Sequence, residues 1–204
     1  DFDCVDETAR LVVHDDHIRV GVAIFLNGLP PLLQLPQNVR GVGVPFVGRG
    51  GGLMAMEGGT YGINDILLDH ATRGANGIQH PAQLGPQIAN EFAKEYDKPA
   101  FVVNPPDVDE MQDVARMTGI KGVYRIMHLH SLNLKETAIR HAATLGKKYE
   151  DCNFVVCHIG GGISVSAHRQ GRMVDGYDIV GGEGPMTPTR CGSVSIRSEE
   201  HTSE

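Results

Sequence analysis

The chain has 204 residues, of which 41% are hydrophobic and 21% charged, a balance that supports a buried core and excludes a disordered tail or a fibrous repeat. Asp and Glu number 25 against 18 Lys and Arg, a formal charge of -7 with no basic cluster, so neither a nucleic-acid partner nor an anionic membrane surface is expected. Cys4, Cys152, Cys157 and Cys191 form no CxxC pair. The apolar run from Val20 to Leu26 falls far short of the roughly 20 residues that cross a bilayer, and no leader pattern opens the chain. These features predict a cytoplasmic protein without a disulfide scaffold or structural zinc.

Residues 1–45 resist assignment, because Leu29 to Pro36 reads LPPLLQLP and its prolines suit neither a helix nor a central strand. The lack of a starting Met predicts a chain that begins inside a larger gene product or in a doubtful reading frame. From Phe46 a short apolar stretch runs into the loop Gly48-Arg49-Gly50-Gly51-Gly52. Asn64 reads as the N-cap of a helix ending near Gly74. A second helix is predicted from about Ala82 to Lys94, where Leu84, Ile88, Ala89 and Phe92 make one apolar stripe, and a strand follows over Ala100 to Val103. Asp107 to Met117 has helical character, with Asp107 as its cap, and Leu132 to Leu145 predicts a further helix closed by Gly146. Strands are then expected at Phe154 to Cys157, along the alternating Ile-Ser-Val-Ser-Ala-His after Gly162, and at Arg172 to Val174 beyond a Gln170-Gly171 turn. The last residues, 197–204, read as a tail translated from a sequencing adapter, which predicts truncation at this end as well.

Several constellations carry chemistry. In His158-Ile-Gly160-Gly161-Gly162-Ile-Ser164, glycine amides between two strands can cradle phosphate oxygens; the plain alternative is a tight hairpin beside a core histidine. A dinucleotide fingerprint would run into a helix, but the residues from Ile163 onward are β-patterned, and no Walker lysine is present, so a dehydrogenase or a P-loop enzyme is disfavoured. Gly181 to Gly192 is a loop of glycines and prolines ending in Arg190, suited to bidentate binding of carboxylate or phosphate, or else a surface loop with an exposed arginine. Arg49 invites the same two readings. His128 and His130 form an i, i+2 pair that could ligate metal only with a further ligand. Asp107 and Asp109 follow a predicted buried strand, the usual place for Mg²⁺ or substrate contacts in α/β proteins.

Taken together, VGRGGGL, GGTYGIND, NPPDVDEMQDVAR, HSLNLK, KKYEDCNFVVCHIGGGISV and DGYDIVGGEGPMTPTRCG resemble the acetate kinase family of the actin-like ATPase superfamily, and within it the butyrate kinases, from about Phe46 to Val194. The resemblance implies an α/β, ribonuclease-H-like, actin-like ATPase fold, here incomplete, with mixed sheets and flanking helices. Residues 46–150 would be the remainder of an N-terminal acyl kinase domain and 151–196 the start of a C-terminal nucleotide-binding domain. It further implies direct in-line transfer from ATP, with Mg²⁺, to a short-chain fatty acid, giving acyl phosphate and ADP. Acetate, propionate or a branched acid is the alternative to butyrate, and a non-catalytic actin-like nucleotide-binding protein the alternative to a kinase. Carried over by position, Arg49 and Arg190 would hold the carboxylate and neutralise the moving phosphoryl group, His130 would stabilise it, and His158 would stand at the phosphate loop. Gly160, Gly161, Gly162 and Ser164 would contact ATP phosphates. Asn104 stands where acetate kinases carry an aspartate, which would pass any Mg²⁺ role to Asp107 or Asp109. A homo-oligomer of the full-length parent is implied, and the 204-residue chain alone is expected to be inactive or to fold poorly.

Overall fold

Local capping signals set several of the element boundaries. The computed structural model of the chain describes residues 45–194. All but the last residue of the irregular 1–45 segment, and the 197–204 tail, lie outside them. The described residues form two compact units, one of 45–55 with Gly59–Pro105 and one of Met56–Gly58 with 106–194. The second unit therefore includes 106–150, which the sequence groups with the N-terminal domain.

In the first unit, strands β1 (Phe46–Gly48), β2 (Thr60–Gly62) and β3 (Ala100–Val103) form a sheet ordered β1-β3-β2. β3 pairs parallel with β1 and antiparallel with β2, so the sheet is mixed as expected. Helix α1 (Asp65–Arg73) begins where the Asn64 side chain accepts the Leu67 N–H at 2.9 Å and ends at Gly74, whose φ of 66° suits glycine. Helix α2 (Leu84–Tyr96) follows a single 3-10 turn at Pro81–Gln83, capped by His80. Ala89 and Ala93 are buried on its inner face, and Phe92 stacks on Phe46 of β1 with ring centroids 5.7 Å apart. β2 has only three residues and no readable alternation, which is why no strand was predicted there.

The second unit is built on helix α3 (Ser131–Thr144) and the antiparallel sheet β4 (Asn153–Ile159), β5 (Ile163–Arg169) and β6 (Arg172–Asp175). The predicted turn between β5 and β6 is present, with φ of 51° at Gln170 and 79° at Gly171. The core gathers Val108, Met111, Met127, Leu129, Leu134, Ala138, Val156 and Met173. The helix expected over Asp107 to Met117 does not form; only Asp113–Arg116 makes a 3-10 turn. Here side chains and strand pairing outcompete the helix. Val108 pairs as a bridge with Met56, and the Asp109 carboxylate accepts the Met111 and Met127 amides.

Buried polar groups bind the elements of this unit together. Glu110 accepts Lys135 Nζ at 2.7 Å, the Met173 N–H at 2.7 Å and the Gly58 N–H at 2.9 Å. Burial alone would raise its carboxyl, but these bonds and the Lys135 charge hold it below the ordinary carboxylate range. Beside it, His168 lies 2.6 Å from the Tyr149 hydroxyl and 2.7 Å from Ser166 Oγ. Burial, helped by the Lys135 charge, pushes the His168 imidazole down to about 4. A histidine depressed in the folded state is destabilising once the unfolded chain takes up its proton. Its contribution, about 3 kcal/mol, is thus complete above pH 6.5 and lost as pH falls toward 4. Denaturant melts should show this loss between those values, and His168→Gln should flatten it; an unchanged slope in that variant would contradict the assignment.

Candidate functional site

β4 and β5 are joined by Gly160, Gly161 and Gly162, with Ile159 and Ile163 as the last paired residues. The Gly160 N–H donates to the Gly162 carbonyl at 3.0 Å, so that amide closes the turn, whereas the sequence assigns it to a phosphate. Two histidines flank the turn. His158 is the penultimate residue of β4, and His130 immediately precedes α3. Their rings stack with centroids 3.9 Å apart and planes 19° from parallel.

Each ring is held by a neighbour. His130 Nδ1 is 2.7 Å from Ser164 Oγ, which also accepts the His130 backbone N–H at 3.2 Å. His158 Nδ1 is 2.7 Å from Asn133 Nδ2. Ser164 is fully buried, with its hydroxyl against the histidine. Asn133 was missed from sequence, although it lies three residues after His130, the spacing that brings side chains together at a helix start.

The loop carrying Arg190 is fastened at both ends. Glu183 N–H donates to the Asp178 carbonyl, Ser193 N–H donates to the Gly184 carbonyl at 2.8 Å, and the Gly184 N–H donates to Ser193 Oγ at 2.9 Å. Thr187 and Arg190 exchange backbone bonds of 2.9 and 3.3 Å, making a tight turn. Thr189 Oγ1 then donates to the Gly161 carbonyl at 2.8 Å, tying the loop to the glycine turn. Gly184 must lack a side chain, since its φ is 91° and an added Cβ would stand 2.3 Å from the Tyr177 ring that supports it. Asp178, at the loop's base, lies 3.2 Å from His128 Nδ1, and this bond raises the His128 imidazole above its ordinary value despite burial. The His128/His130 pair thus separates onto two different partners.

The consequence is a convergence over Gly162. A Cβ on that residue would lie 2.6 Å from Arg190 Nη1, 3.0 Å from His130 Cε1 and 3.5 Å from His130 Nε2. One on Gly160 would lie 3.2 Å from His158 Nε2. One guanidinium and two imidazoles therefore meet over a glycine turn, an arrangement suited to an anion.

Arg49 belongs to the first unit; it is itself exposed, while the glycines around it, Gly48 and Gly50 to Gly52, are buried, the loop lying directly against the start of α2. A Cβ at Gly85 would come within 1.9 Å of the Arg49 carbonyl, and one at Gly48 within 2.4 Å of the Gly85 carbonyl. The glycines of this loop thus answer to backbone packing. Asn104, with φ of 40°, accepts the Gly59 N–H at 2.8 Å and steadies the end of β3.

Of the two aspartates, Asp109 is committed to an ion pair with Arg116. Both Asp109 oxygens engage Arg116, at 2.7 and 2.9 Å, and Asp107 is buried. Among the described residues no three His, Cys, Asp or Glu side chains converge as metal ligands. Also among them, no helix is long and apolar enough to cross a membrane.

Comparison with known proteins locates this arrangement. Residues 119–198 match the Acetokinase family. A probable butyrate kinase of Elusimicrobium minutum is 49% identical over 72% of the chain, covering 39% of that protein. A probable butyrate kinase of Enterococcus faecalis is 48% identical over 74% of the chain and 41% of its own length. The chain thus spans about two-fifths of the length of these curated relatives. Among solved structures, Porphyromonas gingivalis acetate kinase superposes with a TM-score of 0.55 at 22% identity, covering 76% of this chain and 40% of that one. The fold expected from the sequence, a mixed α/β part of the actin-like acetate kinase fold, is the one observed.

Gly162→Ala should separate site from fold. Its Cβ meets a flexible guanidinium and a ring edge rather than backbone, so stability should change by no more than about 1 kcal/mol while phosphate affinity falls about tenfold or more. Isothermal titration with inorganic phosphate beside a denaturant melt checks both; unchanged affinity would contradict the convergence.

Proposed function

With residues 119–198 belonging to the acetate kinase family, we propose that the protein is a carboxylate kinase that moves the γ-phosphoryl group of ATP to a short-chain fatty acid, butyrate foremost. The convergence of Arg190, His130 and His158 over the glycine turn is the observation that carries this reading. Butyrate is favoured by the names of the relatives from Elusimicrobium minutum and Enterococcus faecalis.

A carboxylate nucleophile is already ionised near neutral pH, so the site needs no base to create it. A carboxylate oxygen forms the new bond to the γ-phosphorus while the bond to the β,γ-bridging oxygen breaks, and ADP leaves with that electron pair. The problem is charge: two anions must approach, and the transferring group spreads negative charge over its equatorial oxygens. Arg190 neutralises that charge from a loop tied at both ends. His130 and His158 add ring N–H donors, and the amides of Gly161 and Gly162 face the phosphate chain. Arg49, from the first unit, is proposed to hold the acid's carboxylate. Mg²⁺ is proposed to enter with ATP as part of the substrate.

Selection among acids of different chain length would rest on apolar contact, where one methylene is worth about 1–3 kcal/mol. A gene product of full length carrying this sequence, given ATP, Mg²⁺ and acids from acetate to isovalerate, should yield hydroxylamine-trapped acyl phosphate with a maximum at butyrate. Arg190→Ala should lower that rate about 10²–10³-fold, and the 204-residue chain alone should be far slower still. ATP binding without phosphorylation of any acid would replace the kinase by a non-catalytic nucleotide-binding protein.

A further inference from the structure

We propose that Ser164 and Asn133 are positioning residues that fix His130 and His158 in the tautomer carrying the proton on Nε2. The value of those protons to a phosphoryl group rests on the kinase reading above; the tautomers themselves do not.

Ser164 is fully buried on β5, and its hydroxyl has one proton and two lone pairs. One lone pair accepts the His130 backbone N–H at 3.2 Å. Among the described residues, the only acceptor that the hydroxyl proton meets is His130 Nδ1, 2.7 Å away. Were Nδ1 itself protonated, the buried hydroxyl proton would be stranded, and a buried donor without an acceptor carries its full desolvation cost. The ring therefore accepts at Nδ1 and bears its proton at Nε2, the atom 3.5 Å from the Cβ position of Gly162.

His158 is treated alike from the other side. Asn133 Nδ2 stands 2.7 Å from His158 Nδ1, and an amide nitrogen only donates. That leaves the proton of the neutral ring on Nε2, which lies 3.2 Å from the Cβ position of Gly160. Two parallel rings thus offer two N–H donors to one turn without either having to be cationic. Nothing in the composition of the HIGGGIS segment announces this; it follows from a serine on one element and an asparagine on another reaching the same stack.

The test is a long-range ¹H–¹⁵N correlation of the chain labelled at histidine, with the two rings assigned through His130→Gln and His158→Gln. Both rings should show the Nε2–H pattern. Ser164→Ala should turn His130 into a tautomer mixture, and Ser164→Thr, which keeps the hydroxyl, should restore it. Asn133→Asp should move the His158 proton to Nδ1, because a carboxylate can only accept. Asn133 is exposed, so this variant decides the matter even if Ser164→Ala fails to fold. An Nδ1–H pattern in the unsubstituted protein, or a folded Ser164→Ala or Asn133→Asp with its ring unchanged, would overturn the assignment. A purely structural serine or asparagine would move stability without moving the proton.

Discussion

Glu110 accepts three donors that come from three different places in the chain. Lys135 lies one turn into α3, Met173 is on β6, and Gly58 belongs to a short segment far upstream. Breaking such a buried pair from one side leaves an uncompensated charge in the interior, so the helix and the sheet cannot shift independently. Everything at the site inherits this constraint. His130 stands at the start of the same helix, five residues before Lys135, and Ser164 lies on the strand next to β6. The short contact between them is a second fastening of α3 to the sheet. Geometry at His130 thus leans on the Glu110–Lys135 pair as well as on the Ser164 contact.

The glycines serve two different purposes, and separating them clarifies the chemistry. Gly48 and Gly85 allow backbone to lie on backbone in the first unit, while Gly184 makes room for Tyr177 beneath the arginine loop. Among the described residues, Gly162 alone keeps open a space bordered by a guanidinium and an imidazole. Its neighbour Gly160 uses its amide to close the turn. The glycine turn is therefore less a row of equivalent amides than one open position framed by side chains.

Much of this was legible in the sequence because the signals were local. The Asn64 cap, the Gly74 and Gly146 stops, and the Gln170-Gly171 turn all act within a few residues, and α1, α3 and the β4–β6 hairpins follow them closely. The motif residues His158 and Arg190 were visible for the same reason, each two residues from a glycine or proline, and His130 through the HSLNLK segment that it opens. What was not legible depended on partners distant in sequence. The apparent helix after Asp107 yields to a bridge from Met56 and to an Asp109 carboxylate occupied by Arg116 and two amides. Asp109 reads as a metal ligand until Arg116 is seen to hold it. The pairing of Ser164 with His130 joins residues far apart in sequence, and Asn133 carries no motif of its own.

The central claim is that the side chains over the glycine turn form a built anion site. Titrating inorganic phosphate into the ¹⁵N-labelled chain tests it most directly. Saturable shifts of the His130 and His158 ring nitrogens, Arg190 Nε and the Gly161 and Gly162 amides, with the rest of the spectrum still, are the predicted result. Shifts scattered over surface lysines, or no saturation at these five groups, would contradict it.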